Sequence, residues 1–237
     1  MQANKIQILS TKLIGAALVG IADKQNICID VAPFIETEDV VSGDMRKRII
    51  ELSKQNIAVI FTSANAVNAV KKLLPEKPSW KIFCIGYHTK KNAAETFDEK
   101  NIIGVADNGA ELAEEIIKHP SVKRIVFFCG TQRRDALPEK LKRNGIELEE
   151  LKVYKTIEKP RIISKHYAGI LFFSPSGVRS FFSVNKINKS VQIFAIGATT
   201  AKEIKIHSQL PIIIPEHPDK EELVQLVIKH FSTIKSF

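Results

Sequence analysis

Cysteine is scarce in this chain. Cys28, Cys84 and Cys129 are the only three in 237 residues, each inside an apolar run (ICID, IFCIG, FFCG), which excludes a disulfide framework and a cysteine zinc site. They read as core thiols of a protein in a reducing, cytoplasmic compartment. Long hydrophobic runs are lacking too: the most membrane-like stretch, Leu13 to Ala22, is ten residues, whereas a spanning helix needs about 20. It does not read as a signal-peptide core either, because KIQIL just before it has the pattern of a buried strand. Aromatic residues are 7% of the chain, and the basic pairs Lys71-Lys72, Lys90-Lys91 and Arg133-Arg134 have no aromatic interleaving, so no stacking platform for nucleic acid is visible. There is no GxGxxG after a strand, no GxxxxGK[ST], no GxSxG and no HExxH. The six histidines show no ligand spacing, and no close carboxylate pair stands out, so no metal site is expected.

What is present is the composition of a soluble globular protein, 44% apolar and 26% charged, at a length that fits one or two domains. Lys and Arg total 35 against 26 Asp and Glu, a net charge of +9, so the surface field attracts anions. Short β-branched runs such as Lys5-Ser10, Ile57-Thr62, Arg124-Cys129 and Val191-Gly197 alternate with amphipathic segments such as ELAEEIIK (111–118) and EELVQLVIK (221–229). That alternation predicts parallel sheets with crossover helices.

An internal repeat organises these elements. Ile60-Phe61-Thr62-Ser63 and Val67 match Leu171-Phe172-Phe173-Ser174 and Val178; Ile85-Gly86 and Thr89 match Ile196-Gly197 and Thr200; Glu111-Leu112 matches Glu222-Leu223. All these pairs are 111 positions apart, which implies two copies of one α/β unit. The second copy runs out of chain at Phe237, and its missing part lies at the N-terminus: Ile6, Leu9-Ser10-Thr11 and Ile27 match Ile125, Phe128-Cys129-Gly130 and Ile146 at an offset of 119. One lobe is therefore expected from residues 1–34 plus 157–237 and the other from 37–153, with linkers near 33–38 and 153–158.

The discontinuous lobe has five strands in chain order, which suits a flavodoxin-like sheet of order 2-1-3-4-5. Ligands of such sheets bind outside the carboxyl ends of the strands at the switch point, here Ser10-Thr11-Lys12 beside Ser174-Pro175-Ser176-Gly177. The other lobe's counterpart is Thr62-Ser63-Ala64-Asn65 beside Cys129-Gly130-Thr131. Small hydroxyl or glycine residues recur where a strand ends and a helix begins: Thr62-Ser63, Gly86 with Thr89, Asn108-Gly109, Ser174-Ser176, and Gly197 with Thr199-Thr200. Either these are ordinary N-caps, or their helix N-termini together form a carboxylate or phosphate receptor. Duplication of the whole set favours the receptor.

The runs FTSANAV (61–67), IGYHT (85–89), NGAELAE (108–114), CGTQRRDALPEKLKRNGIELEELKVYKT (129–156), FFSPSGV (172–178) and AIGATTA (195–201) together resemble the uroporphyrinogen-III synthase family over nearly the whole chain. The resemblance implies two flavodoxin-like lobes joined by a two-stranded linker, in agreement with the repeats. It also implies an activity: closure of hydroxymethylbilane, a linear tetrapyrrole with an acetate and a propionate on each ring, into uroporphyrinogen III, with loss of water and inversion of ring D through a spiro intermediate. The family uses no metal or organic cofactor. Spontaneous closure gives the symmetric isomer, so the main task is to hold the substrate folded for the spiro route.

Carried over residue by residue, the resemblance makes Thr62, Ser63, Thr89, Ser174, Ser176, Gly177 and Thr200 substrate-binding, with Lys12 and Arg133 as charged supplements. Tyr154 is the expected catalytic residue, a phenol that can help the terminal hydroxyl depart. His88-Thr89-Lys90 departs from the family's usual pattern in the first lobe. A monomer acting on a small polycarboxylate is expected, with neither nucleic acid nor membrane as partner. The alternatives are a two-lobed binding or sensor protein without turnover, and a nucleic-acid-binding module supported by the net charge alone.

Overall fold

The computed structural model describes residues 5–132 and 136–234. They form two compact units. The terminal unit is drawn from both ends of the chain, up to Glu36 and from Ile157 onward; the central unit is Thr37–Thr156.

The terminal unit begins with β1 (Ile6–Ser10), α1 (Ala16–Lys24) and β2 (Ile27–Val31). After β3 (Ile35–Asp39) the central unit follows: α2 (Gly43–Ser53), β4 (Ala58–Phe61), α3 (Ala64–Lys71), β5 (Lys81–Ile85), α4 (Gly86–Phe97), β6 (Ile102–Ala106), α5 (Gly109–Ile117), β7 (Arg124–Gly130), α6 (Ala136–Arg143) and β8 (Glu147–Glu158). The chain then completes the terminal unit with β9 (Gly169–Phe172), α7 (Pro175–Phe182), β10 (Gln192–Ala195), α8 (Ala198–His207), β11 (Ile212–Ile213) and α9 (Lys220–Ile234).

The terminal sheet has the order β11-β10-β9-β1-β2, all parallel, which in the unit's own chain order is the flavodoxin-like 2-1-3-4-5. The central sheet, β3-β8-β7-β4-β5-β6, contains the same order started from β7. The copies are thus circular permutations of one another, as the split repeat predicts. Helices cover both faces, so the middle strands β4 (AVIF) and β9 (GILF) are buried at every position. In the central unit Val59, Phe61, Val126 and Phe128 face one core while Ala58, Ile60, Ile125 and Phe127 face the other. Phe61 stacks on Phe128 at 5.3 Å, and the buried Trp80 donates its indole N–H to the Leu52 carbonyl at 2.9 Å.

One detail of the repeat differs from the sequence alignment. Ile8 pairs with Gly169 and Ile125 pairs with Ala58, and Ala58 and Gly169 are equivalent at the 111 spacing. The structural counterpart of Ile8 is therefore Ile125, an offset of 117, while Ile29 and Leu148 keep the offset of 119. A slip of two residues leaves every side chain on its original face, so the hydrophobic pattern cannot detect it.

The chain passes between the units twice, and both passages lie in one ribbon. β3 neighbours β8, with the Lys159 N–H on the Phe34 carbonyl at 2.8 Å and the Val40 N–H on the Val153 carbonyl at 3.1 Å, an antiparallel pairing. Glu36 with Lys159 and Glu38 with Lys155 add ion pairs along it. Within the central unit Glu149 fastens α2 to the sheet: Arg48 meets it through two bonds of 2.8 and 2.9 Å, and Arg124 adds a third at 2.7 Å. Arg48 first, then Arg124, holds the Glu149 carboxyl below the usual carboxylate range.

Candidate functional site

In each unit the parallel strands end on the side from which the helices start, so the strand-to-helix turns of that unit lie along one edge of its sheet. In the central unit β4 ends at Phe61, and Thr62-Ser63 lead into α3. Ser63 is extended (φ −153°, ψ 146°) and accepts the Ala66 N–H at 3.2 Å, an N-cap with ordinary geometry. Its hydroxyl also donates to the Tyr154 phenol oxygen at 3.0 Å. The same hydroxyl is thus both cap and partner of the expected catalytic residue. Tyr154 is half-buried on β8, its ring against the core of Phe61 and Phe128, and the Thr131 N–H donates to its carbonyl at 3.0 Å. Burial raises the phenol pKa, and the Ser63 hydrogen bond only partly offsets it.

The terminal unit repeats the cap without the tyrosine. Ser174 caps α7 by accepting the Gly177 N–H at 3.1 Å, with Ser176 Oγ 3.3 Å from its own oxygen and Pro175 at the first helical turn. Gly177 is buried, and a Cβ there would stand 3.3 Å from the cap oxygen. Thr11, the residue after β1, is 2% exposed and returns its hydroxyl to the Leu171 carbonyl at 2.7 Å, tying the ends of β1 and β9 together.

The N-termini fall into two sets. Among the described residues, α2, α3, α5, α7 and α9 have first N–H groups taken by Ser42, Ser63, Asn108, Ser174 and Asp219, the last at 2.6 and 3.1 Å. In α1, α4 and α8 no side chain caps the first turn. The equivalent α4 and α8 carry Thr89 and Thr200 in their first turns, 6% and 3% exposed, and Gly86 enters α4 at φ 71°. Uncapped N–H groups at the positive end of a helix dipole are acceptor-seeking, so these turns can receive a carboxylate.

Among the residues expected from the sequence, the structure brings Ser63 and Tyr154 into contact in the central unit and Ser174, Ser176 and Gly177 together in the terminal unit. Thr62 is half-buried next to Ser63, and Thr89 and Thr200 occupy matching helix turns. Lys12 follows Thr11, with its carbonyl held by the Ser10 hydroxyl at 2.7 Å. Arg133 lies outside the described residues. Lys220, the first residue of α9, was not singled out from the sequence, and its charge acts on Lys12. That helix lays Leu223 and Val224 in the same core as Ile8 and Ile14, next to the turn that bears Lys12. Burial lowers the Lys12 pKa, and repulsion from Lys220 lowers it further. No spacing in the sequence relates two lysines 208 positions apart; only the packing of α9 does.

Residues 18–225 match the family described as uroporphyrinogen-III synthase HemD. Two solved structures are similar in fold. A variant of the uroporphyrinogen III synthase from Thermus thermophilus superposes with a TM-score of 0.68 at 15% identity, over 98% of this chain and 100% of that one. The uroporphyrinogen-III synthetase from Helicobacter pylori superposes at 0.65 and 18% identity, over 95% and 99%.

Proposed function

The chain belongs to the uroporphyrinogen-III synthase family, and from that premise we propose how its residues share the work. The protein is a lyase of porphyrin and haem biosynthesis: it closes hydroxymethylbilane into uroporphyrinogen III with loss of water and inversion of ring D. The reaction is redox-neutral, so positioning and proton transfer are sufficient chemistry. In our reading Tyr154 gives its proton to the departing terminal hydroxyl. The observation that carries this is the 3.0 Å bond from Ser63 to the phenol oxygen, which occupies that oxygen as an acceptor and leaves the phenol's own hydrogen for the substrate. A phenol is protonated at neutral pH, as a general acid must be, and burial moves its pKa further up.

The substrate's acetates and propionates are assigned to the turns at Thr62, at Thr89 and at Thr200, and to the α7 turn of Ser174, Ser176 and Gly177. Lys12 supplies charge from the terminal unit, and Arg133 is assigned the same role by resemblance. Binding energy gathered at these groups holds the chain in the conformation from which the spiro intermediate forms. We further infer a monomer working in the cytoplasm. The thiols of Cys28, Cys84 and Cys129 form no disulfide, which suits a reducing compartment, and among the described residues no helix is long and apolar enough to cross a membrane. The test is incubation of the purified protein with hydroxymethylbilane followed by isomer analysis. Uroporphyrinogen III is expected; the spontaneous symmetric isomer alone would leave a binding protein without turnover.

A further inference from the structure

β7 and β8 run in parallel register from Arg124 opposite Glu147 to Cys129 opposite Lys152, and there the register shifts so that Gly130 faces Tyr154. Without that irregularity Gly130 would face Val153. The extra residue re-aims the strand, the usual consequence of a bulge beside a functional side chain. Gly130 is the point the Tyr154 ring then reaches: a Cβ at that position would stand 2.7 Å from Tyr154 Cζ and 3.0 Å from both Cε2 and Oη. The first is shorter than a carbon contact allows and the other two are tight, and all three fall on the end of the ring that bears the phenol. Gly130 has no positive φ, so its backbone accepts any residue, and the ring alone demands glycine.

We propose that Gly130 and the bulge at Val153 form a socket that sets the position of the Tyr154 phenol, which makes Gly130 a positioning residue for the cyclisation. The inference rests on the reading of Tyr154 as proton donor, and it extends that reading to a residue that acts through the space it leaves for the ring. The socket has two walls. Ser63 fixes the phenol oxygen by a hydrogen bond, and Gly130 admits the ring edge that a methyl group would expel.

Gly130→Ala tests this. The ring must move by about an ångström, and kcat is expected to fall by about 10²-fold, since a misplacement of that size is enough to remove a general acid from its proton acceptor. Gly130→Ala combined with Tyr154→Phe should lose no more than Tyr154→Phe alone. Phenol ionisation followed by near-ultraviolet absorbance, with the matching Tyr154→Phe proteins subtracted, should show Tyr154 titrating closer to its ordinary value once the added methyl group displaces the ring toward solvent. If the change also weakens folding, the urea midpoint should drop only when the ring is present: Gly130→Ala should lower it in the wild-type background and leave it equal or higher in Tyr154→Ala. Wild-type kcat with an unchanged phenol titration, or an equal midpoint loss in both backgrounds, would overturn the socket. Full turnover by Tyr154→Phe would instead defeat the proton-donor reading, and the titration and midpoint would still decide the socket.

Discussion

Ser63 and Ser174 occupy equivalent positions in the two copies, and each caps a helix with the same bond to the N–H three residues on. Only Ser63 meets a phenol. The pair is therefore an internal control for separating cap from function. Each change to Ala should cost about 0.5–2 kcal/mol of stability through the lost cap. Ser174→Ala should otherwise act on KM, because the N–H groups of its turn persist, with a loss of about 0.5–1.5 kcal/mol for one neutral hydrogen bond. Ser63→Ala should lower kcat as well, since the phenol loses the donor that orients it. Thermal melts with steady-state kinetics on both variants read the difference, and equal kcat in the two would remove Ser63 from the mechanism. Tyr154→Phe should keep the fold and lose roughly 10²–10⁴ in kcat if the phenol transfers the proton. At this scale the sequence offered a choice between ordinary caps and functional hydroxyls. Ser63 shows why no choice was possible there: it caps α3 and also meets the Tyr154 phenol, a partner 91 positions away.

The elements themselves were legible because buried parallel strands read as short apolar runs and covering helices as amphipathic ones. Their register was not. The two-residue slip of β1 against β7 conserves every face, and the bulge opposite Gly130 adds one residue in a run, ELKVYKT, whose pattern reads equally well without it. Attachment of α2 was equally hidden, since it depends on Glu149 meeting Arg48 from 101 positions away and Arg124 from 25. That cluster gives a pH prediction with a definite sign. The Glu149 pKa is lower in the folded protein than the reference 4.5, so its contribution is complete above that value and is lost as pH falls through the folded pKa. Glu149→Gln should destabilise by about 1.5–3 kcal/mol near neutrality, the range for hydrogen bonds to charged groups. Urea midpoints compared across pH should show the gap between wild type and Glu149→Gln closing only below about 4.5, where the wild-type carboxylate protonates in the unfolded chain and then in the folded one. A gap that stayed constant down to acid pH would mean that the charge on Glu149 contributes nothing.

For the molecule as a whole, the duplication was readable because the 111 spacing survives in capped turns and buried strands, where folding restricts the residue type. The permuted start was readable from the match of Ile27 with Ile146 at an offset of 119. What the sequence could not separate was filled from open helix N-termini, because Ser, Thr and Gly mark both and only the hydrogen bonds distinguish them. Charge is the property that belongs to no single turn. A net +9 and a substrate bearing carboxylates on every ring predict long-range attraction that salt weakens, with a Debye length of about 30 Å at 0.01 M falling to about 10 Å at 0.1 M. In the proposed role Lys12 adds to that field, and its own ammonium is disfavoured by burial and then by the charge of Lys220. Raising neutral salt should therefore lower kcat/KM several-fold while kcat holds, because chemistry within the bound complex is shielded from the bulk ions. Lys12→Met and Lys220→Met should each raise KM and flatten the salt dependence, and the double variant should flatten it further. Steady-state kinetics across a salt series reads all of this. A kcat/KM indifferent to salt in the wild type would show that the basic surface takes no part in capture and that the backbone turns alone hold the substrate.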